Sequence, residues 1–272
     1  MTSLLTFFDT DSSDAPASRR DALGTVGKLG LGAALASIPF LKPQAARAQT
    51  STGDAGILNY ALTLEYLERS FYRQALDSGN IPSDVRPLFE TIYDDEAAHV
   101  DYLRNALVGA QADPVDYTDS DFDFDAFLGS FATIATLAQG LEDTGVRAYK
   151  GQAAAISTPA YLEAALRIHS VEARHAAAIR RLAASPAPDG WISTETPPAA
   201  IAPVYGAGGP FPAESNTTQG GFQLTSALQG YSAEQIAEAF DEPLDMATVL
   251  AIVNTANGGG SFIVGQEGDG ND

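Results

Sequence analysis

The chain has 272 residues, 45% hydrophobic and 18% charged, a balance that supports a packed core. Its formal net charge of -20, with no basic patch to offset it, argues against nucleic acid or anionic lipid as a partner and favours cations. The chain has no Cys, which excludes disulfides, thiolate nucleophiles, iron–sulfur clusters and thiolate zinc sites, so a metal would be held by Glu, Asp, His or Tyr.

Residues 1–48 read as a targeting segment. Ser18-Arg19-Arg20-Asp21 precedes an apolar, Gly/Ala-rich stretch from Ala22 to Leu41, and Ala46-Arg47-Ala48 has the small-x-small pattern of a cleavage site. The paired arginines resemble a twin-arginine signal, which directs export of folded proteins. The expected partner is therefore an export translocase, and the expected location is periplasmic or otherwise extracytoplasmic. Lys28 and Pro39 interrupt the stretch, so a membrane anchor is the weaker reading and the mature chain is not expected to insert in a membrane.

Residues 49–185 carry four predicted helices. The first starts near Asp54, read as its N-cap, and runs to about Leu76. The second follows Pro82-Ser83 and continues to Gly109. An acidic segment, Asp113–Asp125, reads as a solvated loop whose last residues begin the third helix, from about Asp123 to Ala155. The fourth has Thr158 as N-cap and Pro159 at its first position, and ends before Pro186. Residues 186–272 form a Pro/Gly-rich extension, predicted as irregular to Gly221, with Trp191 packing it onto the bundle. Short strands are expected at Phe222–Leu228 and Phe262–Val264. Short helices are expected from the capping box Ser232-Ala-Glu-Gln235 to about Phe240, and from Leu244 to Ala256, before a mobile acidic tail. The fold class is all-α: a four-helix bundle with a loop-rich extension.

The chemistry lies in a repeated pattern. Two of the three His follow a Glu by three residues, Glu96-Ala-Ala-His99 and Glu172-Ala-Arg-His175. Residues at i and i+3 share a helix face, so each pair can converge on one cation. Each pair is preceded, one helix earlier, by a Glu and a Tyr seven residues apart: Glu65 with Tyr72, and Glu142 with Tyr149. The offset between repeats is 77 residues for the first helix of each hairpin and 76 for the second. Two helical hairpins related by a pseudo-twofold are implied.

Glu65, Glu96, His99, Glu142, Glu172 and His175 are thus the candidate metal ligands and the candidate catalytic residues. Four carboxylates can neutralise two divalent ions, with Glu65 and Glu142 terminal and Glu96 and Glu172 bridging, as in dinuclear carboxylate bundles. Mixed carboxylate and imidazole donors suit two iron or manganese ions. Glu68 lies three residues after Glu65, and the choice between them stays open. Tyr72 and Tyr149 are expected to support nearby carboxylates by hydrogen bonds. Asp95 reads either as an acid orienting the His of the opposite hairpin or as an exposed acid. His169 reads as a polar core or surface residue.

The segment Ile57-Leu-Asn-Tyr-Ala-Leu-Thr-Leu-Glu-Tyr-Leu-Glu68, with Phe71-Tyr72 and the two Glu-x-x-His pairs, resembles the ferritin-like superfamily, which includes ferritins, rubrerythrins and manganese catalases. More narrowly it is similar to a bacterial ferritin-like family often preceded by twin-arginine signals. The resemblance spans about residues 54 to 185 and implies a bundle with a dinuclear site. Three functions follow as expectations: an oxidoreductase acting on dioxygen, peroxide or ferrous iron; a non-enzymatic metal-binding or stress-protective envelope protein; and, disfavoured by the long extension, storage in a shell. Oligomer formation is left open.

Overall fold

The computed structural model describes residues 53–183, 190–192, 197–206 and 213–255. The predicted export segment, Phe262–Val264 and the acidic tail lie outside the described residues. Four long helices make up the bundle: α1 Asp54–Asp77, α2 Arg86–Gly109, α3 Phe131–Ala153 and α4 Pro159–Ala183. Short connections fold α1 onto α2 and α3 onto α4, and α1 also faces α3, so the two hairpins close around one core.

Local chemistry places the helix ends differently from the sequence expectation in two cases. Asp54 is the first residue of α1 and Gly53, at φ 74°, is its N-cap. The Asp54 carboxylate instead accepts the backbone N–H groups of Ser157 (2.7 Å) and Thr158 (2.8 Å), tying the start of α1 to the start of α4. Helix α3 begins at Phe131 and not at Asp123. The Ser130 hydroxyl accepts the Thr133 N–H at 3.3 Å, and the N–H of Asp125 is taken up by the Asp123 carboxylate at 2.9 Å in a local turn.

The acidic segment before α3 is also more than a solvated loop. Val115, Tyr117, Phe122 and Phe124 are buried, while Asp116 and Asp119 face outward to bond Tyr66 and Arg69 of α1. Alternation along the backbone thus straps this segment to the bundle.

The extension packs on α3. It contains a 3₁₀ turn, Ala199–Tyr205, and a hairpin of β1 Thr218–Gln219 and β2 Phe222–Gln223. Gly220 and Gly221, both at positive φ, supply its two-residue turn. Only the first two residues of the expected strand 222–228 are extended, and the chain turns directly into α5, Leu224–Ala227. Helix α6, Ala233–Ala237, starts from the Ser232–Gln235 capping box, and α7 spans Met246–Thr255. Trp191 is 53% exposed and lines a groove with Ala177 and Arg181 of α4, so it packs only partly onto the bundle.

Residues 137–149 of α3 are all buried, the signature of a helix enclosed on every face. One face meets the bundle core, and the other meets the extension through paired charges. Arg180 contacts both Asp143 oxygens at 2.6 Å, Tyr205 donates to Asp143, and Gln139 donates to Tyr205 at 2.8 Å. Arg147 donates to the carbonyl oxygens of Glu242 and Val204 and pairs with Glu214 at 2.8 Å.

The contact is close enough that Gly151 has no room for a side chain. A methyl group there would overlap the carbonyl oxygen of Leu244, whose own N–H donates to Arg147. Gly151→Ala is expected to lower stability by about 1–3 kcal/mol in urea unfolding despite alanine's better helix propensity. Gly109→Ala, with open space around it, should be neutral or stabilising. Equal effects at both positions would contradict the packing described.

Candidate metal centre

Each helix of the bundle brings acidic or basic side chains to the same interior level. Helix α1 presents Glu65, Glu68 and Tyr72; α2 presents Asp95, Glu96 and His99; α3 presents Glu142 and Tyr149; α4 presents Glu172 and His175. Glu65, Glu96, Glu142 and Glu172 are each 0% exposed. Four carboxylates rarely enter a protein interior together without a charge partner.

The imidazoles are the centres of two overlapping groups. Nδ1 of His99 lies 3.1 Å from Glu65, 3.0 Å from Glu96 and 3.2 Å from Glu172. Nδ1 of His175 lies 2.9 Å from Glu96, 3.4 Å from Glu142 and 3.8 Å from Glu172. In each group one oxygen or nitrogen per residue falls within 4.8 Å of the others, a spacing at which a cation could be held. Glu96 and Glu172 belong to both groups.

The surrounding hydrogen bonds aim these groups inward. Tyr72 donates to Glu142 at 2.5 Å and Tyr149 donates to Glu65, so each hairpin's Tyr reaches across to the other hairpin's Glu. Asp95 lies 3.1 Å from Nε2 of His175, the imidazole of the opposite hairpin. A ring that gives its Nε2 proton to a carboxylate keeps its Nδ1 lone pair free. The repeat places Val171 where an equivalent acid for His99 would stand.

The donor set is left with unsatisfied atoms. Glu96 Oε1, Glu142 Oε2, both oxygens of Glu172 and Nδ1 of His175 are buried without a hydrogen-bond partner. Buried polar atoms are ordinarily paired, so a convergent group of lone pairs fits a cation.

Sequence reasoning left Glu68 as an alternative to Glu65. The structure places both inside, with Glu65 in a cation-sized group and Glu68 beside it, 3% exposed. The repeat explains the space: the position matching Glu68 in the second hairpin is Gly145. A methyl group at Gly145 would stand 3.1 Å from a Glu68 oxygen. Glu68 therefore occupies the volume that Gly145 vacates. His169 is half-buried and belongs to neither group. Asp143, Arg147 and Arg180, on the far face of α3 or against it, were not singled out by any motif.

Residues 53–185 match the family model described as a ferritin-like domain. This segment is a ferritin-like domain. No curated protein matches the chain. The extension from residue 197 to 255 lies beyond the matched residues, so the ferritin-like domain carries the site and the extension covers its third helix.

Burial and mutual repulsion control protonation in the metal-free site. Burial, with Glu172 and its neighbours adding repulsion, holds Glu68 and Glu96 well above the usual carboxylate range. Burial also lifts Glu142 to about 7, against the favourable charge of His175 3.4 Å away. For Glu172, burial is outweighed by the nearness of both imidazoles, 3.8 Å for His175 and 3.2 Å for His99, which hold it at about 2. For His99 and His175, burial is outweighed by the surrounding carboxylates, which raise both well above the usual imidazole range. The folded metal-free site therefore binds more protons than the unfolded chain from about pH 5 to 8. The raised carboxyls stabilise the fold fully below about pH 4.5, and that contribution is lost as pH rises through about 7. Glu172 changes protonation only below this window. The urea midpoint of the metal-free protein is expected to fall between about pH 5 and 8, and saturating divalent cation should remove the fall. A rising or flat midpoint in the metal-free protein would contradict the assignment.

Proposed function

We propose that this protein is exported, holds two iron or manganese ions in its ferritin-like domain, and acts as an oxidoreductase on dioxygen, peroxide or ferrous iron. One observation carries the reading: two buried cation-sized groups, each with its own His, share the same two carboxylates. Glu65 and His99 would belong to one ion and Glu142 and His175 to the other, with Glu96 and Glu172 between them. Four carboxylates balance the four charges of two divalent ions, and the oxygen-rich donor set with two imidazoles suits iron or manganese over zinc held by thiolates.

Ions of this kind supply reversible one-electron chemistry toward a small oxidant when bound. The protein's part is positional. Tyr72 and Tyr149 fix the terminal carboxylates, and Asp95 fixes the His175 ring through Nε2. Glu68, buried beside the shared Glu172, is placed to hold or give up a proton as the charge of the centre changes. Export of a protein already folded suits a centre that is loaded before transport, and Arg19-Arg20 with Ala46-Arg47-Ala48 supports that route. Among the described residues no helix is long and apolar enough to cross a membrane.

Elemental analysis of protein purified from its native compartment is expected to find about two iron or manganese ions per chain. Glu96→Ala and Glu172→Ala should each abolish paired binding while keeping the helical circular dichroism. Full metal content in both variants would overturn the centre. Bound metal without peroxide or dioxygen turnover would reduce the proposal to a metal-binding envelope protein. Replacing Arg19 and Arg20 by Lys is expected to leave the precursor uncleaved in the cytoplasm, as seen by fractionation; unchanged export would overturn the twin-arginine route.

A further inference from the structure

The extension contains a stretch that neither the bundle nor the centre accounts for. Residues 215–233 carry no charged side chain, in a chain whose net charge is -20. Charge-free runs of similar length occur at residues 196–213 and 246–266, and there burial supplies the reason: Ile201, Val204, Ile252 and Val253 are buried and line one small gap with Leu137 and Leu141 of α3. Burial does not explain residues 215–233. None of them is buried, and Phe222, Leu228 and Tyr231 are 65%, 42% and 64% exposed.

The stretch has a definite form all the same, built by its own polar groups. The Asn216 side chain accepts the N–H of Thr218 and donates to its carbonyl oxygen, both at 2.9 Å. The Gln223 side chain donates to Thr217 at 3.2 Å and to Thr225 at 3.1 Å, and the Leu224 N–H donates to the Thr217 carbonyl at 2.9 Å. Gln219 ties the hairpin to Glu242 at 2.6 Å. Hydrogen bonds thus hold β1, β2 and the start of α5 while the largest apolar side chains stay outside any core. A two-stranded hairpin gains little from its own contacts in water, and large apolar side chains displayed on such a frame mark a contact surface.

The missing charge says what this surface meets. Two molecules of net charge -20 repel, and physiological salt relieves that repulsion only for charges more than about 8 Å apart. Close contact between two copies therefore needs a patch where neither brings an acid, and residues 215–233 are such a patch. A basic partner would instead be met by carboxylates, and this stretch offers none. An anionic membrane is repelled by the rest of the chain. In a two-fold contact the same side chains face one another, so one neutral apolar patch serves both sides. Its nineteen residues approach the roughly 20–30 that each partner contributes to a standard interface.

We infer that residues 215–233 join two copies of this chain in a symmetric dimer, with Phe222, Leu228 and Tyr231 buried between them. The dimer does not depend on metal in the ferritin-like domain.

Sedimentation velocity of the full mature chain, with its metals as purified, tests this. From about 1 to 200 µM the chain should pass from monomer to dimer, with a dissociation constant in the roughly micromolar range. Raising sodium chloride from about 0.05 to 0.5 M should tighten the dimer, because it screens acids such as Glu214 and Glu234 that flank the patch. Phe222→Asp and Tyr231→Asp should each weaken it by roughly thirtyfold or more, with helical circular dichroism and metal content unchanged. Val108→Asp, at an apolar residue of α2 that is 64% exposed, should leave it unchanged. A wild-type chain that stays monomeric at every concentration would overturn the dimer. So would a dimer that survives both aromatic substitutions, or one that is lost in the Val108 variant. A monomeric wild-type chain that floats with vesicles of neutral phosphatidylcholine, and no longer does so as Tyr231→Asp, would give the surface to lipid and sink the second copy as its occupant.

Discussion

Five carboxylates buried within one helical bundle repel one another, and the rest of the fold is organised around containing that repulsion. Glu65, Glu68, Glu96, Glu142 and Glu172 all lie at most 3% exposed. An isolated carboxylate in such surroundings takes up a proton before it stays charged. Two imidazoles and two tyrosine hydroxyls absorb part of the excess, yet several oxygens and one imidazole nitrogen remain unpaired. A helical core that tolerates this arrangement is held in a state that only cations or protons complete, which is why the same side chains that weaken the metal-free fold define the centre.

The extension answers a second electrostatic problem. Helix α3 contributes Glu142 and Tyr149 on one face and carries Asp143 and Arg147 on the other. Without a cover those charges would simply face water. The extension instead buries them, supplying Tyr205 and Glu214 along with backbone oxygens of Val204 and Glu242, while Arg180 of α4 completes the Asp143 pair. Buried pairs of this kind add little net stability over apolar packing, but losing one partner is costly. Their effect is to fix the register of the extension on α3, and through α3 the position of Glu142.

How far the sequence could be read depended on whether a feature repeats. The Glu-x-x-His pairs and the paired Glu and Tyr were visible because each occurs twice at matching offsets, and the bundle follows from helical spacing. The start of α3 was not legible, because the acidic residues from Asp123 suit a helix N-terminus as well as they suit the local turn they form; Ser130 decides the matter through a single hydroxyl. The buried face of the Asp113–Asp125 segment was hidden by its charge, since alternation over so few residues does not outweigh six acids in composition. The contacts of Asp143 and Arg147 were out of reach for a different reason. Their partners in the extension lie about sixty to a hundred residues away along the chain, in a region without periodicity, and no local rule pairs them.

The departures from the repeat then tell more than the repeat itself. Symmetry alone would give two equivalent ions, each with a Glu, a His and a Tyr. Three exchanges break that equivalence: Glu68 against Gly145, Asp95 against Val171, and the pair Phe71 and Phe89 against Ala148 and Ala165. The first adds a buried acid beside the shared Glu172, the second gives His175 a carboxylate at Nε2, and the third puts small side chains at the Tyr149 end where rings stand beside Tyr72. Glu68 sits on α1 three residues from Glu65, yet the carboxylate that acts on it most strongly is the shared Glu172. The added acid therefore stands with the two shared carboxylates, while Asp95 secures the imidazole of His175. The two half-sites thus share their donor types but not the groups that surround them.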